Sequence, residues 1–241
     1  GGLIAVRLMT GENGENADEL IGAALCNAED DIILVSKLGM SLKFQANDEQ
    51  LRPMGRQTAG VQGMKFREGD ELLAMDVVWG DSDKDLFVVT NEGFAKRTAI
   101  SEYRLQGRNG FGVKAVQLAE GRGSLVGAVI VEEDDQIMAI MKSGKVIRSN
   151  VDEVKRTGRT TQGVTFAKPD KNDEIISIAR NEEKDDESAE SGESAESGES
   201  AEKTESAEHG TNATVNEGAS ASSEAATEAN AGNGDGENVE A

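Results

Sequence analysis

Lysine and arginine recur at matched positions along the first 180 residues, and their spacing is the clearest sign of a chemistry. Each of three repeats has one base four residues after a turn glycine, and two more in a downstream basic-x-x-Gly-Arg pattern. Phosphate backbones are bound by such arrays through contacts that release counterions and read no bases. The array predicts a binding surface for double-stranded DNA, formed by Lys43, Arg52, Arg56, Arg97, Arg104, Arg108, Arg148, Lys155 and Arg159.

The frame that carries these bases has a nearly constant period. In each repeat the Gly-Arg pair is followed, after three further residues, by a Gly-Val pair. The glycines of these Gly-Val pairs, Gly60, Gly112 and Gly163, are spaced by 52 and 51 residues. Units related by rotation would bring matched bases onto one ring, so the nine cations would form a curved band. A duplex that follows such a band would be bent, at a deformation cost that the added contacts offset.

Short apolar, β-branched runs bounded by Gly, Asp and Asn predict the strands that position the bases. Only short segments near Ser101–Leu105 and Val151–Lys155 could hold a helical turn. About four strands per unit predict an all-β, propeller-like fold. The predicted strands are Ile32–Val35, Leu72–Met75, Leu86–Val89, Leu125–Val131, Ile137–Ile140 and Ile175–Ile178.

The repeats divide the chain into three complete blades and the end of an earlier one. The opening segment Gly2–Leu8 matches Gly112–Leu118, so we expect it to be the closing strand of a preceding blade. The predicted parts are the closing strand 1–8, a blade with its preceding interblade loop 9–83, a blade 84–131, the last blade 132–180 and a tail 181–241.

The tail differs from the rest of the chain in composition. It holds 18 acidic and 2 basic residues, which give most of the formal net charge of −21, and it lacks Phe, Trp, Tyr, Leu, Ile and Met. Such a segment cannot bury enough apolar surface to offset chain entropy, so we predict a disordered acidic tail. Its role could be that of a solubilising extension, or of a DNA mimic that competes with duplex for the basic band.

Two roles are open for Arg56, Arg108 and Arg159, the arginines of the Gly-Arg pairs. They could contact DNA, or they could bond neighbouring blades, as charged residues in propeller repeats often do. Lys43, Arg97 and Arg148 alternate with apolar residues on strands, which predicts that their side chains face solvent.

The composition excludes several classes of site. Cys26 and His209 are the only cysteine and histidine, so we predict no disulfide, no metal site and no catalytic triad. No apolar run approaches the ~18 residues of a membrane helix, and we expect no signal peptide. These features predict a cytoplasmic protein with no membrane partner. The chain opens with Gly1 rather than Met, so we expect it to be part of a longer protein.

The second repeat carries a family resemblance. Its segments Thr90–Thr98, Glu102–Arg104 and Gly107–Val113, read with Arg52–Gly63 of the first repeat, resemble the C-terminal repeats of the DNA gyrase A family. The resemblance covers residues 1–180 and, in kind, the acidic tail. It implies a β-pinwheel, a propeller-like disc whose blades exchange strands and whose basic perimeter wraps DNA.

The resemblance also implies partners and cofactors for the whole enzyme. A gyrase is a type II topoisomerase that introduces negative supercoils into DNA with ATP and Mg²⁺. It contains B subunits and a second A subunit, and it acts in the cytoplasm in association with the nucleoid. We expect no cofactor and no catalytic residue in this segment, since the DNA-cleaving domains, the family's Gln-Arg-Arg-Gly-Gly-Lys-Gly box and a Walker loop are absent. From these departures we expect the chain to correspond to the last three blades and the tail of a family member.

The lone tyrosine, Tyr103, is predicted to be a core anchor rather than a nucleophile. It follows Glu102 instead of an arginine, and it aligns with the apolar residues Leu51 and Val154. Two alternatives remain for the function: a topoisomerase IV A subunit, or a propeller scaffold that binds an acidic protein partner on its basic rim.

Overall fold

The computed structural model describes residues 2–9, 11, 18–80 and 83–181, and these residues form strands and two short 3-10 turns. The 3-10 turns are Ile100–Glu102 and Val151–Glu153. The strands are β1 (Asp31–Ser36), β2 (Met40–Gln45), β3 (Leu72–Val78), β4 (Asp85–Thr90), β5 (Phe94–Ala99), β6 (Val113–Lys114), β7 (Leu125–Val131), β8 (Gln136–Met141), β9 (Val146–Asn150), β10 (Val164–Thr165) and β11 (Ile175–Asn181).

The strands form three antiparallel sheets, one for each repeat. Two sheets have four strands, in the orders β3-β1-β2-β6 and β10-β5-β4-β7, and the third has the order β11-β8-β9. Tight turns with glycine at positive φ join the first two strands of each blade, at Gly39, Gly93 and Gly144. Glycine is favoured there because residues with a side chain rarely adopt a backbone conformation with positive φ.

Neighbouring repeats exchange a strand. The short strand β6 belongs to the second repeat in sequence but pairs with β2 of the first blade, and β10 of the third repeat pairs with β5 of the second. Gly112 and Gly163 precede these short strands, and each lies so close to the preceding blade that an added Cβ would meet a backbone oxygen. The exchange confirms the predicted all-β pinwheel.

The blades stack with their central strands buried on both faces. In β4, Leu86 and Val88 pack into a core shared with the first blade, whereas Phe87 and Val89 pack into a core shared with the third. This arrangement explains why β4 is a continuous apolar run instead of an alternating one. The two shared cores fix the position of each repeat against its neighbour.

Two predicted segments lie apart from these sheets. Residues 2–9 belong to no strand, and Leu3 and Ile4 are 80% and 75% exposed. That segment 1–8 closes an earlier blade therefore stays a prediction. The predicted disordered tail lies outside the described residues, apart from Asn181 at the end of β11.

Candidate nucleic-acid interface

One base in each repeat is exposed directly after an apolar anchor, which is buried in the second and third repeats and half-buried (Leu51) in the first. In the second repeat the anchor is Tyr103, which follows a 3-10 turn and is 2% exposed, and the exposed base is Arg104. In the third repeat Val154 and Lys155 have the same relationship. The extended backbone of the anchor turns the next side chain outward. Arg52 occupies the matched exposed position in the first repeat, and these three residues are called the rim bases below.

The Gly-Arg arginines bond one repeat to the preceding one. Arg108 donates from Nη1 to the carbonyl oxygen of Gln62 at 2.8 Å. Arg159 donates from Nη1 to the carbonyl oxygen of Lys114 at 3.2 Å. Gln62 and Lys114 are matched residues of successive repeats, so the contact itself is repeated.

The backbone of the same arginines makes a second repeated contact. The N–H of Arg108 donates to Oε1 of Gln50 at 3.0 Å, and the N–H of Arg159 donates to Oε2 of Glu102 at 3.2 Å. Of the two roles that the sequence left open, interblade bonding is therefore observed at these two sites. Arg56, the matched residue of the first repeat, is exposed and lines an open pocket together with Arg7.

The expectation that the strand bases face solvent was wrong for two of the three. Lys43 is 8% exposed, and its Nζ lies 3.4 Å from Oδ2 of Asp31. Arg97 is 5% exposed and lies within 3.5 Å of Asp85 and 3.1 Å of Glu133.

The next repeat covers both of these bases. Leu105 forms a parallel bridge to Lys43, and Arg156 forms one to Arg97. Arg148, the third strand base, is exposed and donates from Nε to Oε1 of Gln136 at 2.6 Å. No segment of the described chain lies beside β9 as these loops lie beside β2 and β5, which accounts for the difference.

A buried lysine escaped the sequence analysis. Lys96 is 1% exposed, and its Nζ donates to the carbonyl oxygens of Ala115, Gly158 and Arg159. Burial lowers the pKa of Lys96 to about 8, and the nearby carboxylate of Glu102 opposes the shift. The matched residues, Leu42 and Ile147, are apolar, and this was the available signal that position 96 points inward.

The distribution of acids gives a sharper picture of the exposed surface. Segments 51–67, 103–119 and 154–169 contain no Asp or Glu, although acids are frequent elsewhere, and they are called the acid-free segments below. Their bases are Arg52, Arg56, Lys65, Arg67, Arg104, Arg108, Lys114, Lys155, Arg156, Arg159 and Lys168. Each segment contains one rim base and the following interblade loop. This signal could have been found in the sequence, and it adds five exposed bases to the predicted sites: Lys65, Arg67, Lys114, Arg156 and Lys168.

Tyr103 is confirmed as a core residue, and burial raises the pKa of its hydroxyl well above the usual value. Within the described ranges no group of three or more His, Cys, Asp and Glu side chains could hold a metal ion. Across those same residues, no helix has both the length and the apolarity needed to cross a bilayer.

A family model described as the DNA gyrase C-terminal domain, a β-propeller, matches residues 30–78, 84–132 and 135–182, one match for each blade. The chain belongs to this family. The matched ranges cover more than half of the chain and contain all three acid-free segments.

Similar curated proteins are DNA gyrase A subunits. The subunit from Streptomyces coelicolor is 53% identical over 190 residues, covering 79% of this chain and 22% of the relative. The subunit from Mycolicibacterium smegmatis is 50% identical over 191 residues, with the same coverage of both chains. The chain therefore spans about a fifth of the length of the curated relatives it matches.

Solved structures of gyrase-type C-terminal domains share the fold. The C-terminal domain of DNA gyrase A is 29% identical, with a TM-score of 0.58 over 63% of this chain and 50% of the other. The C-terminal domain of DNA topoisomerase IV is 22% identical, with a TM-score of 0.63 over 68% of this chain and 50% of the other, and this likeness concerns the fold alone.

Proposed function

We propose that this chain is the DNA-binding and DNA-wrapping part of a DNA gyrase A subunit. The observation that carries the proposal is the repeated rim: in each of three successive repeats, one exposed base within an acid-free segment follows an apolar anchor, which is buried in the second and third repeats and half-buried in the first. Membership of the DNA gyrase C-terminal domain family supports the assignment to a gyrase rather than to topoisomerase IV.

The rim bases contact phosphates rather than base edges. Arg52, Arg104 and Lys155 lie at matched positions of blades that are stacked through shared cores, so a backbone that meets one of them can continue to the next. Each phosphate contact releases counterions, and the sum of such contacts offsets the cost of bending the duplex. Lys43 and Arg97 are buried and ion-paired, so we assign them to the blades and not to the DNA surface.

The remaining predicted sites divide by exposure. Arg56 and Arg148 are exposed and are assigned to the DNA path with the rim bases. Arg108 and Arg159 are half-buried and bonded to the preceding repeat, so their primary task is to hold the loops that present the rim.

For the whole protein we propose the activity of a type II topoisomerase that introduces negative supercoils. This activity would use ATP and Mg²⁺ in the holoenzyme, together with the B subunit and a second A subunit, through parts outside this chain. The segment would contribute the path of the DNA and no catalytic residue. Its place would be the bacterial cytoplasm, in association with the nucleoid.

The acidic tail is proposed to tune the wrap. Its 18 acidic and 2 basic residues are tethered to the basic surface, so their effective concentration near the rim could reach the millimolar range. The tail lies outside the described residues. Removal of residues 182–241 should raise DNA affinity at low salt, and an unchanged affinity would leave only the solubilising role.

A linking-number assay tests the central proposal. Relaxed circular DNA is incubated with the 241-residue chain, treated with topoisomerase I and deproteinised, and the trapped linking number is read on a gel. Wrapping should shift the distribution. The double variant Arg104→Gln/Lys155→Gln should reduce the shift, whereas Lys142→Gln/Lys145→Gln, which removes two exposed lysines outside the acid-free segments, should retain it.

The outcomes separate the proposal from its rivals. Duplex binding without a linking-number shift would contradict wrapping. A folded chain that binds no duplex but binds an acidic polypeptide would favour the protein scaffold.

A further inference from the structure

The interblade loop of the middle repeat differs from the other two in what it exposes. Leu105 is 57% exposed and Phe111 is 48% exposed. Their matched residues are Pro53 and Ala59 in the first repeat, and Arg156 and Gln162 in the third. Among the aromatic rings of the acid-free segments Phe111 is the most exposed, since Phe66 in the first segment is 38% exposed and Tyr103 is buried.

The backbone on either side of Phe111 is held firmly. Asn109 donates its N–H to the carbonyl oxygen of Gly63 at 2.6 Å, and Gly110 accepts a hydrogen bond from the N–H of Lys65 at 2.7 Å. On the other side, Gly112 has φ +71° and approaches the backbone of Ser41 so closely that a Cβ would lie 2.1 Å from its oxygen. The ring is thus presented outward by a loop that is fixed on both flanks.

The surroundings of the ring suit a nucleic acid. The guanidinium carbon of Arg67 lies 6.0 Å from the ring centroid of Phe111, and both residues belong to acid-free segments. Arg104 and Lys114 are exposed on the same loop and short strand. A base could stack on such a ring, since stacking on aromatic side chains does not depend on the identity of the base.

We propose that Phe111 is a wedge that contacts an unstacked base step of the bound duplex and thereby localises the bend. Apolar side chains that insert between base steps kink DNA, and the kink lets the duplex contact more of the protein surface. TA steps unstack most easily, so the wedge makes the chain prefer duplexes that contain them. This inference rests on the proposed function, because it assumes that the acid-free segments bind DNA.

Two duplexes of equal length and base composition test the wedge, one with central TA steps and the other with none. Each carries 2-aminopurine at its centre, whose fluorescence rises when its neighbours unstack. The full chain should bind both duplexes, prefer the TA-containing one, and raise the fluorescence of that one alone. Phe111→Ser should abolish the rise and reduce the affinity for the TA-containing duplex on the order of tenfold. The affinity for the duplex without TA steps should remain.

A closely matched control is available in Trp79. Its ring is also 48% exposed and also has a cation over it, Nζ of Lys84 at 5.8 Å, but it lies outside the acid-free segments. Trp79→Ser should leave both affinities and the fluorescence rise unchanged, and Phe111→Trp should retain the rise.

The outcomes distinguish the wedge from the proposed function. Binding of both duplexes with equal affinity and no rise, or a rise that survives Phe111→Ser, would overturn the wedge while leaving DNA binding intact. No binding of either duplex by the unmodified chain would overturn both.

Discussion

Asp85 and Arg97 lie on neighbouring strands of one blade and form a buried ion pair, with Nη1 of Arg97 3.5 Å from Oδ2 of Asp85. The first blade repeats the pairing with Asp31 and Lys43, and the third replaces the acid by Gln136, which accepts a hydrogen bond from Arg148. The base that recurs four residues after each turn glycine is therefore a partner for the start of the preceding strand. This explains why the three cations recur at the same position of each repeat although two of them are buried and one is exposed.

Removing the buried cation should destabilise the fold. Arg97→Met leaves Asp85, whose side chain is 2% exposed, with Arg156 as its remaining ion-pair partner. Burial already raises the pKa of Asp85, against the opposing effect of both arginines, so its charge is costly to keep. We expect the free energy of unfolding to fall by about 3 kcal/mol, measured by urea denaturation at pH 7.

Arg148→Met is the matched control, because it changes the same repeat position where the side chain is exposed. Its cost should stay below about 1 kcal/mol. Equal losses for the two variants would contradict the assignment of Arg97 to the blade interior.

Neutralising the rim should change the salt dependence of DNA binding. The triple variant Arg52→Gln/Arg104→Gln/Lys155→Gln removes one exposed base from each repeat. If each base contacts one phosphate, the negative slope of the logarithm of the DNA association constant against the logarithm of the salt concentration should become shallower by about 3. The change should be similar for unrelated duplexes. Fluorescence anisotropy titrations at several salt concentrations measure this.

The charge-matched control for the rim is Lys37→Gln/Lys142→Gln/Lys145→Gln. These three lysines are 43%, 66% and 58% exposed in their side chains, lie outside the acid-free segments, and have Glu71, Glu174 and Asp170 as partners. A slope reduced as much by the control as by the rim variant would show that only net charge matters.

The sequence pattern was sufficient for the strands, because they depend on a repeated run of apolar residues, whereas the exchange of strands was expected only from the family resemblance. Apolar runs marked β1, β4 and β8, and the glycines before β6 and β10 recur at nearly constant spacing. The two 3-10 turns also fall where the sequence allowed a helical turn.

Exposure at single positions could not be predicted in the same way. Arg97 is buried because Arg156, which lies in the next repeat, forms a parallel bridge beside it, and Asp85 supplies the opposite charge. Arg148 has the same local sequence pattern, but no strand or bridge of the described residues lies beside it on the side of β9 away from β8. Lys96 is hidden for a related reason, since its three acceptors come from other repeats or distant loops.

The close approach at the exchanged strand should make Gly112 intolerant of a side chain. Gly112→Ala combines a left-handed φ of +71° with a Cβ placed 2.1 Å from the oxygen of Ser41. We expect a loss of about 3 kcal/mol in the free energy of unfolding, from backbone strain and displacement of β6 together.

Gly121→Ala separates these two causes. Gly121 has φ +77° but no atom within 4 Å of the position of a Cβ, so only the strain applies and the expected loss is about 1 kcal/mol. Similar thermal stabilities of the two variants would show that the exchanged strand can move away from β2 without cost.

Lys96 should give the fold a distinctive dependence on pH. Burial lowers the pKa of Lys96 to about 8 from an ordinary value of 10.5, so the folded chain releases this proton before the unfolded chain does. Between these two values the unfolded state binds more protons, and the contribution of Lys96 to stability therefore rises with pH. Below pH 8 the charged group is buried at its full cost, which its hydrogen bonds to Ala115, Gly158 and Arg159 partly offset.

The variant Lys96→Met isolates this effect, since the other titrating groups are common to both chains. The free energy of unfolding of the unmodified chain, minus that of the variant, should increase by about 3 kcal/mol between pH 8 and pH 10.5. Denaturation curves at half-unit intervals of pH measure the difference. A difference that is flat across this window would mean that Lys96 titrates normally, and that the joint between the second and third blades opens enough to hydrate its ammonium group.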